Sequence, residues 1–93
     1  MRRCKNYKIQ ELIPPELYHQ KKENEAILWW LFDDRLLYVA DRLRDDYGPM
    51  TVNDWLWGGS YTDSGLRLPN SSYYNITSQH PHGRALDIKP QDV

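Results

Sequence analysis

Apolar positions are patterned most strongly between Asn24 and Tyr47, where Trp29, Phe32, Leu36, Val39, Ala40, Leu43 and Tyr47 recur mostly three or four residues apart. Side chains at that spacing share one face of a helix, so the pattern predicts a single amphipathic helix from Asn24 to Tyr47. Both ends carry matching signals. Asn24 is suited to cap the first N–H groups, and Glu25 favours the positive end of the helix dipole. Gly48-Pro49 stops the helix with a residue that tolerates a left-handed cap, followed by one that cannot continue. Leu28, Trp30 and Leu31 widen the apolar face, and the Trp29-Trp30 pair is expected in the core.

Elsewhere the rhythm shortens. Tyr7, Ile9 and Glu11 alternate with Lys8 and Gln10, which predicts a short first strand that Pro14-Pro15 ends. Met50-Thr51-Val52-Asn53 reads as another strand, and Trp55-Leu56-Trp57-Gly58-Gly59 runs into a glycine pair that permits a sharp turn. Ser60 to Tyr74 is rich in turn formers. Arg84 to Ile88 predicts a strand with Leu86 and Ile88 on a core-facing side and Ala85 and Asp87 on the other. The expected fold class is therefore α+β, one long helix packed on a small sheet.

Length and composition narrow this further. At 93 residues, with no repeat, linker or low-complexity tract, residues 1–93 form a single domain. Twelve Lys+Arg against thirteen Asp+Glu leave a net charge of -1, so no global electrostatic pull favours nucleic acid or an anionic membrane, and neither is expected as a partner. The single cysteine, Cys4, excludes an internal disulfide and a four-thiolate zinc site. The basic start Met1-Arg2-Arg3-Cys4-Lys5 is followed by the polar Asn6 to Glu11 rather than an apolar stretch, so no signal peptide is expected. The longest apolar run, Ala26 to Phe32, is far below the roughly 20 residues that span a bilayer. The expectation is a soluble protein.

Candidate chemistry is concentrated in Ser78-Gln79-His80-Pro81-His82-Gly83-Arg84-Ala85-Leu86-Asp87-Ile88. Gly83 and Ala85 put almost no bulk beside Asp87, and a turn at Gly83 returns His80 to it, so an imidazole and a carboxylate converge. Such a pair suits zinc, which takes nitrogen from neutral His and oxygen from Asp. A simple hydrogen-bonded pair near a turn is the other reading of this spacing. His82 is an alternative ligand to His80. Upstream, Arg67 is a fixed cation with planar donors that can meet a carboxylate or an oxyanion.

The spacing Ser78-x-His80-x-x-Gly83-x-Ala85-x-Asp87 resembles the zinc-ligand motif S-x-H-x-x-G-x-A-x-D of the M15 metallopeptidases, the D-alanyl-D-alanine carboxypeptidases and related phage endolysin peptidases. Ser64-Gly65-Leu66-Arg67 is similar to that family's S-G-[YL]-R segment. Glu11-Leu12-Ile13-Pro14-Pro15 and the long helix are similar to the start of its phage and bacterial members, so the resemblance covers nearly the whole chain. It implies a mostly antiparallel sheet in a D,D-peptidase or hedgehog-like fold. It also implies zinc held by His80 and Asp87, an Arg67 that stabilises the substrate's carbonyl oxygen or carboxylate, and a Ser78 that orients the substrate. The implied reaction is cleavage of a peptide bond in peptidoglycan stem peptides, by a phage-associated protein or one in a bacterial cytoplasm.

The family also carries an acidic general base and a third zinc-binding His beyond the Asp ligand, and only Lys89, Pro90, Gln91, Asp92 and Val93 follow Ile88 here. The expectation is therefore the N-terminal part of a peptidase domain lacking its C-terminal part. The third ligand then comes from His82, from His19 or from a second polypeptide, or is absent, and Asp92 is the acidic residue remaining as a base. A non-catalytic phage structural or cell-wall-binding protein derived from the same fold is the alternative.

Overall fold

A computed structural model describes residues 2–68 and 83–90. Among these residues the chain forms three α-helices, Pro15–Lys21 (α1), Glu25–Trp30 (α2) and Asp34–Tyr47 (α3). Single turns of 3-10 helix stand at Ile9–Glu11, Lys22–Asn24 and Trp55–Trp57, and two strands at Met50–Thr51 (β1) and Lys89–Pro90 (β2). Helix dominates. The strands pair antiparallel, Met50 opposite Pro90 and Thr51 opposite Lys89. No helix among the described residues is long and apolar enough to cross a membrane.

The single helix expected from Asn24 to Tyr47 is in fact two helices. The N–H groups of Leu31 and Phe32 bond back to the carbonyls of Leu28 (3.3 Å) and Trp29 (3.2 Å), which tightens the end of α2. Asp33 then turns extended (φ -65°, ψ 128°), and its Oδ1 accepts the Arg35 N–H at 2.8 Å. A side chain that satisfies the first free N–H groups begins a new helix more readily than it continues the old one. Asn24 makes no such capping bond, and the chain enters α2 from the Lys22–Asn24 turn instead. Gly48 does end α3, at φ +88°, its N–H bonded to the Arg44 carbonyl at 2.9 Å.

The break also turns the buried face. Helix α3 buries Leu37, Ala40 and Asp41, whereas Val39 and Tyr47, expected inside, are exposed. Trp29 is buried and its indole N–H donates to Glu25 Oε1 at 3.2 Å, while Trp30 stands 72% exposed. Consecutive helical side chains diverge by about 100°, so only one of the pair can face the core.

The strand expected at Tyr7 to Glu11 is extended only as far as Lys8 (φ -78°, ψ 152°) and then closes into the Ile9–Glu11 turn. Glu11 is the physical reason. Its Oε2 accepts the Lys8 N–H at 2.8 Å, and its Oε1 lies 3.6 Å from Arg44 Nη1, which satisfies a carboxylate that is buried. The alternation still marks the inner side, because Tyr7, Ile9 and Glu11 are all buried. Asp41 fastens the same segment, accepting the N–H groups of Lys5 (3.0 Å) and Asn6 (3.1 Å).

Ile9, Leu12 and Ile13 meet Leu28, Trp29, Phe32, Leu37, Val52 and Leu66 in one core. Each such aliphatic side chain contributes about 1.5–3 kcal/mol on full burial. The two predicted C-terminal-half strands are shorter than expected. Strand β1 stops at Thr51, and Arg84 to Ile88 carries no ladder, pairing beginning only at Lys89. Leu86 and Ile88 nevertheless pack on the core, and Asp87 between them is exposed.

Candidate functional site: a cleft around Arg67 and Asp87

The turn carrying Arg67 is fixed to the core from beneath. Leu66 is buried and its N–H donates to the Leu12 carbonyl at 2.9 Å. Gly65 lies so close to that carbonyl that any Cβ would overlap it. Asn53, itself buried, reads both sides of the junction. Its Nδ2 donates to the Ile13 carbonyl at 3.1 Å, its Oδ1 accepts the Ser64 N–H at 3.0 Å, and its own N–H donates to the Glu11 carbonyl at 2.8 Å. A buried amide satisfied at this many points has one orientation, and it passes that orientation to Ser64.

The segment bearing Asp87 docks on this turn, the Asp87 N–H donating to the Ser64 carbonyl at 2.7 Å. Gly83, at φ +68°, starts the segment. Its carbonyl accepts the Asp33 N–H at 2.9 Å, so the same residue that caps α3 also anchors the chain leading to Asp87. A Cβ at Gly83 would fall on the Leu31 carbonyl oxygen. Glycine is thus required there twice, for its backbone angle and for its lack of bulk.

These supports bring together two residues singled out from the sequence. Arg67 Nη2 donates to Asp87 Oδ2 at 3.1 Å, and Arg67 Nε donates to the Asp63 carbonyl at 2.8 Å. The arginine side chain is 16% exposed and the aspartate 56%, so the cation is held in the wall and the carboxylate faces outward. Together with residues 60–64 they line a cleft of about 450 Å³. Burial lowers the Lys89 ammonium below the usual lysine range, with the nearby carboxylates of Asp87 and Asp54 opposing the shift.

Ser78, His80, His82 and Asp92 lie outside the described residues. His19 is exposed, its ring 6.1 Å from that of Trp55. For a divalent metal the described residues supply an oxygen donor, the cleft-facing Asp87. No group of three His, Cys, Asp or Glu side chains stands together among them. An aspartate oxygen is among the donor types that zinc accepts.

Asn53 and Lys89 support this cleft, and neither drew notice as a site residue in the sequence. Their partners are backbone carbonyls and a hydroxyl far along the chain, which no local motif signals. Comparison with protein-family models, curated proteins and solved structures gave no match, so the peptidase resemblance rests on the motif residues themselves.

Proposed function

We propose that this protein is a zinc-dependent peptidase of the D,D-carboxypeptidase and endolysin kind, acting on peptidoglycan stem peptides, with the α+β arrangement of that family. What supports the reading is the meeting of Arg67 and Asp87. They belong to two separate family-like segments, 20 residues apart, and share one cleft at 3.1 Å. His80 and Asp87 would hold the zinc, with His82 the alternative imidazole. When bound, the ion polarises a carbonyl and lowers the pKa of a ligated water. Arg67, kept rigid through Asp63, offers its planar donors to the substrate's carbonyl oxygen or terminal carboxylate. Ser78 orients the peptide. The third donor is assigned to His82, to His19 or to a second polypeptide, and the general base to a carboxylate, Asp92 or one on that polypeptide.

The reading is tested by zinc titration and by release of D-alanine from a stem pentapeptide. His80→Ala and Asp87→Ala are expected to lose zinc, and Arg67→Ala to keep zinc while losing turnover or peptide affinity. Undiminished zinc affinity in His80→Ala overturns the assignment. The existing Arg67–Asp87 pair also suits a cleft that binds wall peptide without cutting it. Saturable pentapeptide binding with no D-alanine released, with or without zinc, selects that second reading.

A further inference from the structure

We infer that Lys89 is the positioning residue of this cleft, fixing where the Asp87 carboxylate stands by tying the cleft wall to the core. The inference rests on the peptidase reading for what the cleft binds, and on the geometry alone for what Lys89 does.

A lysine ammonium has three donors and no acceptor. Lys89 Nζ donates to the Val52 carbonyl at 2.8 Å, to Ser64 Oγ at 2.9 Å and to the Asp87 carbonyl at 3.1 Å. It also lies 4.4 Å from the centroid of the Tyr61 ring. Tyr61, Ser64 and Asp87 line the cleft, whereas Val52 is fully buried beneath it. One cation therefore joins three points of the wall to one point of the core. With its three donors engaged by the protein, the ammonium has none left for a ligand, and its part is geometric.

The bonds close a ring. Ser64 is held at its N–H by Asn53, at its hydroxyl by Lys89 and at its carbonyl by the Asp87 N–H. Asp87 is held at its N–H by Ser64, at its carbonyl by Lys89 and at its carboxylate by Arg67. Strand pairing with Thr51 fixes the backbone of Lys89 itself. Methionine at position 89 keeps the length and apolar stem but leaves three acceptors without their donor. The Asp87 segment then loses its carbonyl anchor, while its N–H bond to Ser64 and its side-chain pair with Arg67 remain. A ligating carboxylate must be held to within about half an ångström to bind a metal well, so this loosening is felt at the metal before it is felt in the fold.

The experiment compares wild type, Lys89→Met and Ser64→Ala by Zn²⁺ titration and by hydrogen exchange of the Arg67 Nε–H in NMR spectra. The Lys8 amide, bonded to the Glu11 carboxylate, reports on the fold as a whole. Lys89→Met is expected to weaken zinc tenfold or more and to speed Arg67 Nε–H exchange at least tenfold, with the Lys8 amide unchanged. Ser64→Ala should move both in the same direction by less. Equal zinc affinity and equal Arg67 exchange in Lys89→Met overturn the inference and leave the peptidase reading standing. Failure of wild type to take up zinc overturns the peptidase reading, and Arg67 exchange then decides the inference. Should Lys89→Met fail to fold, Ser64→Ala decides it by the same two readouts.

Discussion

Gly83→Ala probes the joint between the helix break and the cleft. Gly83 sits at φ +68°, a left-handed angle that costs an L-residue about 1–2 kcal/mol. Its added methyl would also fall on the Leu31 carbonyl oxygen and crowd Phe32 Cα, both backbone atoms that cannot swing aside like a side-chain end. Relief requires the segment to move off, which loses the Asp33 N–H bond to the Gly83 carbonyl, about 0.5–1.5 kcal/mol. The sum is about 1.5–3.5 kcal/mol. Gly58→Ala is the matched control, since Gly58 is left-handed (φ +88°, ψ 6°) with nothing within 4 Å of where a Cβ would stand. It should lose the angular part alone, about 1–2 kcal/mol. Urea denaturation with an unchanged m-value reads both directly, and thermal midpoints should fall by about 4–8 °C per kcal/mol. A Gly83→Ala variant as stable as Gly58→Ala would falsify the overlap argument.

Asp41→Ala removes the acceptor for the Lys5 and Asn6 N–H groups and the partner of Arg2 (3.7 Å). A loss of about 2–3 kcal/mol is expected in the same denaturation assay, and a loss below 0.5 kcal/mol would show that water replaces the carboxylate fully. The Cys4 thiol, raised to about 12 by burial and then by the Asp41 charge, should react with iodoacetamide at pH 8 about a thousandfold more slowly than a free cysteine. Labelling at the free-thiol rate would refute that environment. Asp33 is held at about 2, against an ordinary 3.8, by the Arg35 side chain and then the Arg35 N–H. A depressed folded value stabilises above the unfolded pKa and is lost as pH falls through the folded one. The melting-temperature gap between wild type and Asp33→Ala should therefore be full above about pH 4 and close toward pH 2. A gap that is constant with pH contradicts the capping role.

The helical region was legible because its apolar spacing is regular, but regularity also hid the break. Leu31 and Phe32 keep the apolar rhythm running through the junction, and the signal that marks it is Asp33 followed by Asp34 in a first helical turn. Alternation at Tyr7, Ile9 and Glu11 found the buried side but not the conformation, since period two in a short stretch records facing and not backbone angles. In the cleft, Arg67 and Asp87 are legible because charged groups beside glycines invite attention. Lys89 is not, because its acceptors at Val52 and Ser64 lie 37 and 25 residues away and two of its three bonds go to carbonyls that every residue has.

The pairing of Thr51 with Lys89 also sets an order of assembly. The turns within α1 to α3 form through contacts a few residues apart, which chains make within microseconds. The cleft joins positions separated by about twenty to forty residues, and the entropy of closing such loops must be met before any of its bonds can form. Its geometry is therefore absent until the helical layer gives the returning segment a surface to land on. During synthesis Arg67 leaves the ribosome with its carboxylate partner still unmade, and a chain interrupted before Asp87 lacks that side of the cleft.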